Sequence, residues 1–177
     1  RNLVNSSGVI AADATGAGTA RNGIAATGYG VGLAIFGYGY QGGGTYNAQT
    51  NLVTNVGVVG ADVSGVGTTR ANLGAARYGT DKAIFGFGNG GGGATGVTNL
   101  VSNVGVVSSD VSGVGTTRTG VRAAAYGGDK AIFAYGNTGS PTAVSNLVSS
   151  SGVVASDVTG VGTARGYPAA AGYSISA

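Results

Sequence analysis

The sequence lacks the residues on which most enzyme sites and metal centres depend. Its 177 residues include no Cys, His, Met, Trp or Glu, and only two prolines. Without His or Cys the chain cannot build a Ser-His-Asp triad, a thiol nucleophile, an imidazole metal site or a disulfide. Glycosidase chemistry usually needs two nearby carboxyl groups, and only aspartate is available for it. We therefore predict that the protein is not an enzyme and has no cofactor and no metal.

Charge is also scarce, at 8% of the residues. The net charge of +3 comes from arginines and lysines spread along the chain, whereas a nucleic-acid groove concentrates basic residues with aromatics between them. No apolar run approaches the roughly 18 residues of a membrane span. We predict no nucleic-acid partner and no membrane insertion. The chain opens at Arg1 rather than at a methionine, which indicates a processed or truncated start.

Glycine and apolar residues are abundant instead, with 38 glycines and 42% hydrophobic residues. A silk-like disordered chain is the first alternative that such a composition suggests. Disordered chains are usually polar and highly charged, because they cannot bury enough apolar surface to offset their conformational entropy. This chain is apolar and nearly uncharged, so we expect an ordered, sheet-rich fold.

One unit of about 48 residues recurs along the whole chain. The triplet Asn-Leu-Val, an aspartate and an arginine return together with spacings of 49, 48 and 47 residues; they begin at Asn2, Asn51, Asn99 and Asn146, at Asp13, Asp62, Asp110 and Asp157, and at Arg21, Arg70, Arg118 and Arg165. A fixed period of this size predicts a repeat architecture. We divide the single domain 1–177 into an N-terminal partial repeat (1–19), repeat 1 (20–69), repeat 2 (70–117), repeat 3 (118–164) and a C-terminal partial repeat (165–177).

Each repeat reads as short strands separated by turns. In repeat 2 we predict a strand over Asn99–Val107, an Asp-initiated turn over Asp110–Gly113 and a short strand over Val114–Arg118. Repeat 3 opens with VRAAAYG, a Gly-Gly-Asp turn and KAIFAYG, which predict a tight hairpin. Glycine-rich segments of variable length, which precede each later Asn-Leu-Val triplet, are typical of exposed loops. No segment has useful helical periodicity.

The strand over residues 82–88 predicts how the repeats pack. Alternation places Ala83, Phe85 and Phe87 on one face and Lys82, Ile84, Gly86 and Gly88 on the other, and the glycines let a ring sit on the backbone of the next sheet. Each complete repeat carries the same aromatic pair, with Phe36 and Phe133 equivalent to Phe85, and Tyr38 and Tyr135 equivalent to Phe87. We interpret the pair as core between sheets; an aromatic binding platform is the alternative.

The order of these motifs resembles the kelch repeat. Arg118 matches the arginine that opens a kelch blade, Lys130–Gly136 its second strand, Asn146–Val154 its third, and Asp157 the turn before its fourth. Two features depart from kelch: an aromatic splits the second-strand glycines, as in Gly37-Tyr38-Gly39, and the fourth-strand tryptophan is missing. The motifs GVVxxDVxGVGTxR and YGxDKAIFxYG are also similar to repeat proteins of environmental and marine bacteriophages.

The resemblance implies an all-β, kelch-like β-propeller of about four blades. Three blades would be complete repeats, and the two partial repeats would close the fourth. A fragment of a larger ring, or an open stack whose free edges join neighbouring subunits, are the alternatives.

Two sets of residues are candidates for ligand contact. In a closed ring Arg21, Arg70, Arg118 and Arg165 can converge on a channel and bind an anion; alternatively each pairs with a backbone carbonyl or with the aspartate eight residues earlier. In the loops, Tyr40 and Tyr46 can contact a sugar. The recurring aspartates lack calcium-loop spacing and indicate turn capping.

These patterns together indicate a non-enzymatic structural or binding module. The bacteriophage resemblance implies a virion protein, such as a capsid decoration or a head or tail fibre, or an extracellular surface protein that makes contacts through exposed loops. Its partners would be other proteins of the virion or surface assembly and the chain itself. A soluble, lectin-like propeller that binds a glycan is the alternative.

Overall fold

The computed structural model describes residues 1–172, and every regular element within them is a β-strand. The strands are β1 (Ala25–Tyr29), β2 (Leu33–Gly42), β3 (Thr45–Val53), β4 (Gly74–Tyr78), β5 (Lys82–Gly86), β6 (Asn89–Gly90), β7 (Gly93–Ala94), β8 (Thr98–Val101), β9 (Arg122–Tyr126), β10 (Lys130–Ala134) and β11 (Ser145–Val148). The described part of the chain has no helix long and apolar enough to cross a membrane. The predicted all-β class is confirmed.

Each complete repeat forms its own antiparallel sheet of three strands. The orders are β1-β2-β3, β4-β5-β8 and β9-β10-β11, and a two-stranded ribbon, β6-β7, extends the loop of repeat 2. The middle strand always carries the Ala-Ile-Phe motif, and its phenylalanine lies opposite the asparagine of the Asn-Leu-Val triplet in all three sheets, as at Phe85 and Asn99. The sequence repeat is therefore also a repeat of strand register.

The predicted hairpin of repeat 3 is confirmed. Strands β9 and β10 pair from Tyr126 opposite Lys130, so that Gly127, Gly128 and Asp129 form the connection. Both glycines have positive φ, 61° and 82°, which a residue without a Cβ adopts at little cost.

Two of the predicted strands are wrong. The segment Asn99–Val107 is a hairpin rather than one strand: β8 ends at Val101, the chain turns at Gly105 with φ of 83°, and Val107 bridges back to Val101. Hydrogen bonds from the amides of residues 104 and 106 to Ser102 Oγ hold the turn. The segment Val114–Arg118 forms no strand, because the amide and carbonyl of Thr116 bond the side chains of Asp157 and Arg118 rather than a neighbouring strand.

The three sheets pack on one another in chain order, β1 against β4 and β4 against β9. Rings of one sheet lie on glycines of the previous sheet, as the alternation of large and small residues predicted. A methyl group added to Gly37 would lie 2.9 Å from Phe85 Cζ, and one added to Gly86 would lie 2.7 Å from Phe133 Cζ. Glycine at these positions lets two sheets approach with a ring between them.

The predicted common face of Phe85 and Phe87 is wrong. Strand β5 ends at Gly86, and Phe87 has a left-handed φ of 62°, as do its equivalents Tyr38 and Tyr135 at 64° and 59°. This reversal breaks the strand alternation. Ala83 and Phe85 therefore face repeat 1, whereas Ile84 and Phe87 face repeat 3.

The four-bladed propeller is also wrong. The described residues form four small, separate sheets, none of which closes, and each is confined to one repeat. The N-terminal partial repeat makes only an internal bridge, Val4 to Ile10, and no bridge joins it to the described residues 165–172. Among the described residues the partial repeats contain no equivalent of the middle strand, which pairs with both of its neighbours in every complete sheet.

Candidate functional site

A buried arginine organises the polar interior of each repeat. In repeat 2 the side chain of Arg70 is fully buried and donates to the carbonyl oxygen of Phe87 at 3.0 Å, to that of Thr68 at 2.9 Å and to Asn99 Oδ1 at 2.6 Å. Arg118 makes the same three bonds in repeat 3, to Tyr135, Thr116 and Asn146. Burying a guanidinium is costly unless its donors are satisfied, and here each nitrogen has an acceptor.

An aspartate closes the same cluster from the far end of the repeat. Asp110 accepts hydrogen bonds from Asn99 Nδ2 at 2.9 Å, from the Thr68 amide at 3.0 Å and from Thr68 Oγ1 at 2.6 Å. Asp62 and Asp157 have equivalent partners. Because the threonine precedes the repeat arginine, the carboxylate ties each repeat to the end of the one before. We call this set of Thr, Arg, Asn and Asp the repeat clasp.

The clasp stabilises the charged form of its carboxylates. The hydroxyl of Thr19 is the largest cause of the lowered pKa of Asp62, followed by the amide of Asn51. At Asp110 partial burial raises the pKa, but the bonds from Thr68 and Asn99 and the charge of Arg70 together outweigh it, so the pKa is lowered there too.

The arginines also link consecutive repeats through aromatic rings. The guanidinium carbon of Arg70 lies 4.2 Å from the ring centre of Tyr38, and that of Arg118 lies 4.2 Å from the ring centre of Phe87. Such a contact is worth about 0.5–2 kcal/mol, with the larger value for desolvated pairs. Burial raises the pKa of Tyr38 to about 12, and its hydroxyl donates to the carbonyl of Val66.

The structure does not bring the four repeat arginines together. Arg70 and Arg118 are enclosed by their own clasps, Arg21 donates to the Gln49 carbonyl and to Asn51 Oδ1, and Arg165 is exposed with its guanidinium 5.5 Å from the Tyr135 ring centre. The prediction of anion binding was based on a channel shared by the four arginines, and the structure does not place them in one. Anion binding by these residues stays a prediction.

Of the two alternative roles for the arginines, pairing with backbone carbonyls is confirmed for Arg21, Arg70 and Arg118, whereas Arg165 donates to the hydroxyl of Tyr135. The aspartate eight residues earlier is the wrong partner. Arg21 lies 3.9 Å from Asp62, which comes 41 residues later, and the charge of Arg70 adds to the hydrogen bonds of Thr68 and Asn99 that lower the pKa of Asp110. The aspartates therefore join one repeat to the one before it, and their role is not limited to capping a local turn.

Tyr40 and Tyr46 face each other across the hairpin of β2 and β3. Their ring centres are 5.1 Å apart, and both side chains are half-buried. The hydroxyl of Tyr40 accepts a hydrogen bond from the amide of Gly44, and that of Tyr46 accepts one from Asn89 Nδ2. The hydroxyls therefore already have partners within the chain, and a sugar would meet the rings' exposed parts. Glycan contact at this pair stays a prediction.

The variable loops project as the sequence predicted. A methyl group added to Gly43, Gly92 or Gly139, one in each loop, would meet no atom within 4 Å. These loops therefore tolerate changes of length and side chain, in keeping with their lengths of 11, 10 and 9 residues.

Sequence reasoning missed a row of exposed valines. Val58, Val106 and Val153 stand at equivalent positions after the hairpin glycine and are 52%, 64% and 66% exposed; Val63, Val111 and Val158 are 47%, 46% and 43% exposed. We call these six residues the valine row. Their recurrence is visible in the sequence, but Val106 lies in the segment Asn99–Val107 that was predicted as one strand, and Val111 lies in the predicted turn Asp110–Gly113. The hairpin turn, which places these residues at the sheet edge, was the missing information.

Two apolar grooves connect four of the six members of the row. One of about 200 Å³ has Val63 of repeat 1 and Val106 of repeat 2 in its walls, and a second of about 200 Å³ has Val111 of repeat 2 and Val153 of repeat 3. Among residues 1–172 there is no group of three or more acidic, His or Cys side chains that could hold a metal ion. This edge of the sheets can therefore bind a partner through apolar contacts.

Comparison with known proteins gives a likeness of fold alone. No family model matches the chain, and no curated protein matches it. A solved structure described as "Structure of YjhT" is similar, with a TM-score of 0.55 and 14% identity over 74% of this chain and 42% of that one. The chain thus spans less than half the length of that structure. These comparisons provide no evidence for the kelch or bacteriophage resemblance, which stays a prediction.

Proposed function

We propose that the chain is a non-enzymatic structural module of a virion or extracellular surface assembly, and that it binds its neighbours there through the valine row and the glycine-rich loops. The observation that carries the proposal is the row itself. Six valines, each 43% to 66% exposed, recur at the same two positions of three stacked repeats. Two apolar grooves join four of these valines in pairs across the repeat boundaries, and exposed apolar surface of this kind marks protein contact sites.

The packing of the repeats supports a mechanical role. Three contacts join each repeat to the next: the carboxylate of the clasp, an arginine over an aromatic ring and a ring on a glycine. At the centre of the stack the residues from Ala83 to Phe87 are buried. The valine row therefore lies on a well-packed scaffold. A rigid scaffold lets several weak apolar contacts act together, because the second contact then forms at high effective concentration.

Incorporation into the assembly tests the proposal. We expect immunogold antibodies against the chain to label virions or surface filaments purified from the producing organism. A chain with Val58, Val106 and Val153 all changed to serine should fold normally and label the particles several-fold less. The matched control is Val31→Ser, because Val31 is 92% exposed but lies outside the row.

Two outcomes would contradict the proposal. One is a chain found entirely in the soluble fraction, with no label on any particle. The other is reproducible binding on a glycan array that is lost in Tyr40→Ala and Tyr46→Ala variants and kept in the triple valine variant, which would support the lectin alternative instead.

A further inference from the structure

Two apolar grooves lie at the boundaries between the complete repeats. The first groove lies between Leu52 and Val63 of repeat 1 and the hairpin of repeat 2, and the second between Leu100 and Val111 of repeat 2 and the hairpin of repeat 3. Each has a volume of about 200 Å³, below the roughly 300 Å³ at which small-molecule sites begin. A groove of this size suits a single side chain of a protein partner.

A largely buried threonine lines each groove. Thr50 in the first groove and Thr98 in the second are only 2% and 3% exposed. Their backbones pair with Val63 and Val111, but neither hydroxyl bonds another residue among 1–172. A purely apolar occupant would bury these hydroxyls unpaired, which is costly. The fitting occupant therefore brings a hydrogen-bonding group beside its apolar side chain.

The hairpins of repeats 1 and 2 carry side chains of this kind at their tips. The tips are Asn55-Val56 and Asn103-Val104. Val56 and Val104, the tip valines, are 70% and 67% exposed, more than any member of the valine row. The two asparagines are exposed, and their side-chain amides bond no other residue of the described chain. Each tip thus combines an aliphatic side chain with an amide that can bond a threonine hydroxyl.

We infer that a second copy of this chain binds here in a twofold-symmetric dimer, in which Val104 of each copy enters the first groove of the other and Val56 enters the second. The occupant follows from the period, because the two tips are one repeat apart and so are the two grooves. With the two stacks antiparallel, one twofold axis satisfies all four contacts. Val104 itself lines the first groove, so the two copies of Val104 meet close to this axis.

The charge distribution agrees with a contact between identical chains. The net charge of +3 repels two copies as wholes, but neither the tips nor the residues that line the two grooves include Lys, Arg or Asp. The inference rests on the proposed function, in which this edge of the sheets binds neighbouring proteins, and it identifies one such neighbour as the same chain.

Serine at the tips tests the contact. Val56→Ser and Val104→Ser remove the aliphatic side chains and introduce the residue that repeat 3 already has at this position, Ser151. Each substitution removes two contacts from a symmetric dimer, so we expect each to raise the dimer Kd at least about tenfold. The matched control is Val161→Ser, because Val161 is 83% exposed and lies in neither tip and neither groove.

Opposite charges test which tip meets which groove. Val104→Asp changes a tip and Val63→Lys changes the groove that receives it, at side chains that are already 67% and 47% exposed. Each variant alone should stay monomeric at concentrations at which the wild type is a dimer. An equal mixture should dimerise, because the aspartate of one chain then meets the lysine of the other while the second tip and groove of that pair are unchanged.

Sedimentation equilibrium of the 177-residue chain measures these results, and circular dichroism establishes that each variant is folded. Three outcomes would overturn the inference: a wild type that stays monomeric at high concentration, a dimer whose Kd is unchanged in the Val56→Ser, Val104→Ser double variant, and a charged mixture that does not dimerise.

Failure of the dimer is distinguishable from failure of the proposed function. A monomeric wild type whose label on particles still depends on Val58, Val106 and Val153 would overturn the dimer and leave the proposed function standing. A dimer that forms as expected, from a chain that labels no particle, would do the reverse.

Discussion

At the scale of single residues, the polar interior depends on charged side chains whose partners lie far along the chain. Asp110 bonds Thr68, which is 42 residues earlier, and Arg70 bonds Asn99, which is 29 residues later. Hydrogen bonds to charged groups contribute about 1.5–3 kcal/mol each, more than neutral ones. These few charged side chains therefore specify how one repeat contacts the next.

The clasp makes stability dependent on acid pH. The pKa of Asp62, Asp110 and Asp157 is lowered in the folded chain, relative to about 3.9 when unfolded. A carboxylate of this kind contributes stability that is complete above the unfolded pKa and is lost as the pH falls through the folded pKa. We expect the free energy of unfolding in urea to fall steadily below about pH 4.

An Asp110→Asn variant isolates one clasp in that measurement. Because Asp110 is exposed and solvent screens its charge, the variant should be less stable by only about 0.5–1.5 kcal/mol at pH 7 and should show a shallower loss towards acid. Asp129→Asn is the control, because the Asp129 side chain pairs with its neighbour Lys130 and not with another repeat, an arrangement worth about 0–1 kcal/mol. Equal pH profiles for the wild type and Asp110→Asn would contradict this account of the clasp.

At the scale of elements, the middle strand of each sheet determines the spacing between sheets. Its phenylalanine lies on a glycine of the previous repeat, and the aromatic two residues later reverses the chain with positive φ. A left-handed aromatic residue is strained by about 1–3 kcal/mol. Full burial of Tyr38 and Phe87 beneath an arginine compensates for that strain.

A methyl group at Gly86 should show how tightly the sheets fit. Gly86→Ala places a carbon 2.7 Å from Phe133 Cζ and 3.0 Å from Thr98 Cγ2, and overpacking of this kind costs about 1–3 kcal/mol. The control Gly92→Ala, in an open loop, should change the free energy of unfolding by less than about 0.5 kcal/mol.

A double-mutant cycle tests the cause of that loss. Gly86→Ala should cost markedly less in a Phe133→Leu background, since the smaller side chain leaves room for the added methyl group. The same cost in both backgrounds would show that the ring is not what the methyl group meets.

At the scale of the whole molecule, the stack is most tightly packed in the middle. Strand β5 lies between the sheets of repeats 1 and 3. Its residues 83–86 and the following Phe87 are all buried, whereas the first ten residues are all exposed. In stacked repeats each unit contacts only its neighbours, so stability depends on how many neighbours a unit has.

Hydrogen exchange of the dilute chain should follow this gradient. We expect the amides of β5 to exchange slowest, those of β2 and β10 at intermediate rates, and those of residues 1–15 fastest, because local opening requires little free energy where few apolar contacts are lost. Equal protection of β5 and residues 1–15 would contradict a stack held together by contacts between neighbouring repeats.

The amino-acid sequence alone determined the period, the all-β class, the hairpin of repeat 3, the exposed loops and the ring-on-glycine packing. All of these follow from local turn chemistry and from the alternation of side chains along a strand, which act over a few residues. Tertiary structure alone decided the reversal at Phe87, the pairing of Asp110 with Thr68, the exposed valine row and the separate sheets in place of a closed propeller. Each of these depends on which groups meet from distant parts of the chain, and neither spacing nor composition encodes such a meeting.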